Sequence, residues 1–243
     1  MKTQRAGFTI VELMIAMAFI SVLLLAIAGA VMQVGAIYNR GITMKSVNQA
    51  GRVVIDDMKK TISESQPTSL MYVPQSTDDT TIVGGRLCTG VYSYVWNIGV
   101  QVDSNNNNTQ FNRYEDGANG DKPLRLVKML DTDRYYCSGG VDQRISPSNA
   151  TELLSGGSVD TGDSQTTTGN LAVQGFTLER LTDNLSTGAA LYAVTIVISD
   201  ADSEAVNTID NSCKPPTDNE SNQQYCAVNE FTFTARAGNG GGQ

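Results

Sequence analysis

The 243-residue chain contains no histidine. That excludes Ser-His-Asp and Cys-His catalysis, and with them every histidine-ligated zinc or iron site. Basic residues are scarce, 17 Lys and Arg against 25 Asp and Glu, for a formal net charge of −8. An acidic surface repels phosphate and no basic run is present, so direct nucleic-acid binding is not expected. The sequence also lacks a phosphate loop, a dinucleotide fingerprint, a nucleophile elbow and a recognisable carboxylate pair. No catalysis and no cofactor are therefore expected. The apolar fraction, 40%, falls below the globular average of about 45–50%, and a disproportionate share of it sits in the first forty residues. The remainder is rich in Asn, Thr, Ser, Gly and Asp, which suits a loop-rich extracellular domain.

Cysteines are few: Cys88, Cys137, Cys213 and Cys226. None forms a C-x-x-C pair, so zinc and thiol-redox motifs are poor readings and no metal site is expected. An even count in an exported chain reads as two disulfides. Three connectivities are possible. Pairing of sequence neighbours, Cys88 with Cys137 and Cys213 with Cys226, is favoured because short loops close first.

The N-terminus is the most informative stretch. Residues 1–7 are short and basic, with Lys2 and Arg5 and no acid. Phe8-Thr9-Ile10-Val11-Glu12 follows, and from Leu13 to Asn39 no residue is charged. A helix over that stretch would be about 40 Å long, enough to cross a hydrocarbon core of about 30 Å. The basic end is expected to stay cytoplasmic, leaving the remainder outside. An ordinary signal peptide cut after Ala26-Ile27-Ala28, or a plain single-span anchor, would meet the same hydropathy. Glu12 separates these readings. A carboxylate near the start of an apolar span costs energy in lipid, up to about 3 kcal/mol for one placed centrally. It is useful only where it later finds a positive partner among helices, such as the α-amino group made by cutting before Phe8.

Gly7-Phe8-Thr9-Ile10-Val11-Glu12 resembles the prepilin peptidase site of type IV pilins and type II secretion pseudopilins. In that family the cut follows the glycine, the new N-terminal residue is N-methylated, and a glutamate stands fifth in the mature chain. The resemblance implies that Gly7 and Phe8 are the processing residues and that Glu12 serves assembly. It implies as partners other pilins, prepilin peptidase and an inner-membrane assembly machinery.

Beyond the apolar stretch, Val47, Ala50, Val54, Met58 and Ile62 continue one stripe of a 3.6-residue period. The helix is expected to run from Phe8 to Ser65, until Pro67 ends it, with Gly29, Gly35 and Gly41 as its weak points. Five strands are expected after that, at residues 87–95, 124–130, 171–181, 191–199 and 230–236. The fourth is apolar on both faces, as a central strand would be, with the helix on one face and a loop layer on the other. Long loops at 103–121, 138–169 and 200–229 separate these strands. The fold class is thus α+β, a pilin-like long helix packed on an antiparallel head. The expected segments are a leader at 1–7, a transmembrane and assembly helix at 8–39, its amphipathic continuation at 40–66, a β-rich head at 67–237 and a flexible tail at 238–243.

Asp200, Asp202, Glu204 and Asp210 have the flavour of a calcium loop. The glycine and glutamate that an EF-hand needs are here Ala205 and Asn211, so a solvated turn is favoured. Asp103 to Asn107 makes a weaker case still. Trp96, near Tyr92 and Tyr94, reads as packed strand residues rather than a sugar platform. The bounded segment from Cys213 to Cys226 resembles the C-terminal disulfide region of many type IV pilins. Size and the ending Phe231-Thr-Phe-Thr-Ala-Arg resemble larger minor pilins of the PilW-like kind. The resemblance implies a minor pilus subunit, held in the inner membrane and then carried to the cell surface. The alternatives are a minor pseudopilin of type II secretion, or an anchored or secreted binding domain with no filament.

Overall fold

The structure, a computed structural model, describes residues 9–76, 82–99, 102, 112–114, 122–138, 144–154, 171–184, 189–201, 205–207, 210–215 and 226–238. Its elements in chain order begin with α1 (Ile10–Glu64), β1 (Met71–Ser76), β2 (Ile82–Cys88), β3 (Tyr92–Asn97), β4 (Arg113–Tyr114), β5 (Lys122–Pro123) and β6 (Leu126–Leu130). The short helix α2 (Tyr135–Ser138), β7 (Arg144–Ile145) and β8 (Ala150–Glu152) follow. The chain then forms β9 (Leu171–Asn184), β10 (Ala189–Asp200), β11 (Val206–Asn207), β12 (Ser212–Cys213) and β13 (Val228–Ala237).

α1 is one continuous helix of 55 residues, about 80 Å at 1.5 Å per residue. Gly29, Gly35 and Gly41 all lie within it without a break in the helix. Up to Ile42 its large apolar side chains are exposed. Val47, Val54, Met58 and Ile62 are fully buried, with Ala50 packed at the edge. The amphipathic stripe read from the sequence is the face that meets the head. Each of its large side chains contributes about 1.5–3 kcal/mol by leaving water.

Two antiparallel sheets receive that stripe. The first has the order β1-β2-β3-β6-β8 and the second β13-β10-β9. A bridge between Ile98 and Val173 joins their margins. β13 follows the helix and is tied to it at both ends. Asn229 Nδ2 donates to Asn48 Oδ1 at 2.7 Å, and the Gly238 N–H donates to the Ser65 carbonyl at 2.8 Å. Tyr192, Val194, Ile196 and Ile198 of β10 point into the core. Leu191, Ala193, Thr195 and Val197 on its other face are only half-buried. β10 is therefore the central strand of its sheet, and no described element covers its second face as a loop layer would. A second cluster, including Val95, Leu124, Val127 and Ile145, fills the far side of the first sheet under the small sheet β5-β4-β7.

Several sequence expectations need correction. The expected strand at 87–95 is two strands, β2 and β3, joined by a turn at Thr89, Gly90 and Val91. Gly90 has φ +94°, a conformation glycine adopts freely and a branched residue does not, and the Thr89 N–H bonds the Tyr92 carbonyl at 2.9 Å. β1 lies outside the five expected strands, and as the edge of its sheet it tolerates the missing donor of Pro74. The expected loops at 103–121, 138–169 and 200–229 hold the short strands β4, β7, β8, β11 and β12, which carry too few residues to show a period. β6 starts at Leu126 rather than 124, while β9, β10 and β13 run longer than expected.

Candidate functional site

The functional helix begins in a reciprocal cap. Thr9 is the N-cap of α1, and its hydroxyl accepts the Glu12 N–H at 3.3 Å. The Glu12 carboxylate reaches back to the Thr9 N–H and the Thr9 hydroxyl, both at 3.0 Å. This is a capping box, which satisfies donors that a helix start otherwise leaves open. Its consequence for an apolar helix is specific. A carboxylate entering lipid alone is costly, and here two donors of its own chain meet it. Glu12 remains exposed at the head of an exposed apolar helix, open to a further partner. Thr9 is a residue that the sequence reading missed, although the spacing of Thr9 and Glu12 is the signature of such a cap. Gly7 and Phe8 lie outside the described residues.

Among the described residues α1 is one helix long and apolar enough to cross a membrane, and it lies near the N-terminus. Its apolar half is not buried against the head.

A second constellation fixes the other half of α1 to the first sheet. Lys128 Nζ lies 2.8 Å from Asp57 Oδ1 and 3.1 Å from Thr61 Oγ1. The Tyr94 hydroxyl donates to Asp57 Oδ2 at 2.7 Å and lies 2.8 Å from Thr61 Oγ1. The Lys128 ammonium also sits 4.4 Å from the Tyr92 ring centroid, a cation–π arrangement. Burial and the Asp57 acceptor push the Tyr94 phenol far above its usual range, so it is a neutral donor at all ordinary pH. The arrangement lets one carboxylate on the helix hold two strands at once.

The cysteines form two disulfides. Cys88 pairs with Cys137, Cα–Cα 6.3 Å, and Cys213 with Cys226, Cα–Cα 5.8 Å. Asp131 lies beside the first pair, and three groups that could ligate a metal converge there. Two of the three are the bridged sulfurs. The third, Asp131, already accepts from Ser93 Oγ at 2.6 Å and from the Tyr135 N–H at 2.7 Å.

The calcium reading gathers nothing in the described residues. Asp200 is half-buried at the end of β10, and exposed Asp210 accepts from its own Ser212. Asp202, Glu204 and the stretch from Asp103 to Asn107 lie outside the described residues. Trp96 is buried, 4.4 Å from Phe176 and stacked on Tyr72, so it packs the core.

Residues 2–28 match the family model of the prokaryotic N-terminal methylation motif. Over those residues the chain resembles the N-terminus of a type IV pilin or pseudopilin. The motif and the exposed apolar helix of this pilin-like protein fit a membrane-anchored chain, and pilins are generally structural proteins. The motif implies, in general terms, assembly with other pilins and processing by prepilin peptidase. The α+β fold, a long N-terminal helix against antiparallel sheets, is that of a pilin-like protein. No curated protein and no solved structure matches the chain.

Proposed function

We propose that the protein is a minor subunit of a type IV pilus, cut after Gly7, methylated on Phe8 and assembled through α1. The observation that carries this reading is Glu12 at the head of an apolar helix whose first half leaves its side chains unburied. In the assembled state that surface packs on neighbouring helices. Glu12 then exchanges its bonds to Thr9 for the charged amine of an adjacent subunit. Apolar burial supplies cohesion and the charge pair fixes register. Before assembly the helix spans the membrane once, with the head outside the cytoplasm. No enzymatic activity and no cofactor enter this account.

Among the described residues the head holds two disulfides and three separate sheets beside the hairpin of β11 and β12, which favours a minor subunit over the major one. It supports initiation or tipping of a filament that serves motility, adhesion or uptake. Glu12→Ala should leave membrane insertion intact and lower incorporation into sheared filaments. Equal incorporation would remove the pairing role. Loss of exoprotein export on deletion, without loss of surface fibres, would move the protein to a type II secretion filament.

A further inference from the structure

The head is acidic, and the part of the helix that carries it is not. Residues 65–243 hold 21 Asp and Glu against 10 Lys and Arg, a formal −11, whereas residues 40–60 hold five basic residues and two acidic. One of those two, Asp57, is taken by Lys128.

Lys45, Arg52 and Lys59 are all exposed. Among the described residues none of the three makes a hydrogen bond or an ion pair. Their spacing is regular. Seven residues advance a helix by about 10.5 Å and leave a drift of about 20°. The three cations therefore form one ridge along the axis. Each stands two residues before a buried, head-facing position, namely Val47, Val54 and Thr61. Two residues turn the helix by about 200°, so the ridge faces away from the chain's own head. Exposed Asp56 flanks the ridge and is likewise unpaired among the described residues.

We propose that this ridge seats the acidic head of a second copy of this chain in the filament. The proposal rests on the filament reading and adds a second contact to the one at Glu12. Counted at about 100° per residue, Glu12 lies within about 40° of Arg52 in azimuth, so both face the same approaching neighbour. Charge complementarity selects the occupant: the chain's own head is strongly acidic, and a like subunit presents that surface to an unpaired row of cations. Lipid headgroups are out of reach of two of the three cations. Arg52 and Lys59 lie about 18 and 28 Å along the helix beyond Arg40, more than two Debye lengths of about 8 Å.

The test is the full-length double variant Arg52→Glu with Lys59→Glu, followed in sheared filaments and by N-terminal mass. The ridge predicts an unchanged N-terminus at Phe8, an unchanged melting temperature and an incorporation about tenfold lower, since like charges now meet across the contact. Unchanged incorporation would overturn it. A photo-crosslinking residue at position 56 of the otherwise native chain gives a second readout that does not depend on the variant folding. Adducts to acidic head peptides of a second copy are expected, and adducts to lipid alone would contradict the ridge. A mature N-terminus other than Phe8 would instead overturn the filament reading beneath it.

Discussion

The Phe231 ring of β13 occupies the space where a side chain on Gly51 of α1 would be built. Helix and strand approach so closely there that only a hydrogen fits between them. The contact lies one turn from Asn48, whose amide oxygen receives Asn229. It marks where the second sheet locks onto the helix.

Gly51→Ala should therefore destabilise the head, although alanine favours a helix by about 1 kcal/mol over glycine. Overpacking of this kind costs about 1–3 kcal/mol. Thermal melting of the full chain should show the loss, and Phe231→Leu in the same chain should recover part of it. A Gly51→Ala protein that melts higher would show that the ring moves aside freely.

Asp57 offers a different kind of lock. Tyr94→Phe removes one hydrogen bond and should cost about 1 kcal/mol. Asp57→Ala should cost more, because it leaves both the Tyr94 hydroxyl and the Lys128 ammonium without the carboxylate. Amide exchange of β3 and β6 in the two variants would distinguish them, with the faster exchange expected for Asp57→Ala.

Glu152 at the end of β8 gives the head a pH dependence. Its carboxylate is buried and accepts from the Leu126 N–H at 2.9 Å and the Tyr114 hydroxyl at 3.1 Å. Burial raises its pKa more than these donors lower it. The folded protein then binds its proton more tightly than the unfolded chain does. Stability from this group is full below the ordinary carboxylate range and declines as pH rises through the raised value. Glu152→Gln should flatten that decline in a series of urea melts, and an unchanged pH slope would remove Glu152 as its source.

The two disulfides should differ in worth. In the chain-entropy account the loop closed by Cys88 and Cys137, 49 residues apart, is worth about 4 kcal/mol, and that of Cys213 and Cys226, 13 apart, about 3 kcal/mol. Paired Cys→Ser variants measured by chemical denaturation should rank in that order.

Much of the helix was legible because its signals are local. Glu12 after Phe8, an uncharged run and a stripe from Val47 to Ile62 can all be read by counting residues. The head was less legible for two physical reasons. Gly90 turns the chain inside an apolar stretch, so one continuous pattern from Leu87 to Val95 conceals a hairpin. The lock at Asp57 depends on Lys128, 71 residues away, and no local period announces a partner at that distance. Thr9 and the ridge of Lys45, Arg52 and Lys59 lay open to counting. Their meaning came only with the cap at the helix start and the direction of the head.

The central claim is that α1 is a processed assembly helix, and the mass of the mature N-terminal peptide tests it most directly. Protein from membranes and from sheared surface material should yield a peptide beginning at methylated Phe8. A peptide beginning at Gly29, or an intact Met1, would contradict the account and leave an ordinary exported or anchored domain.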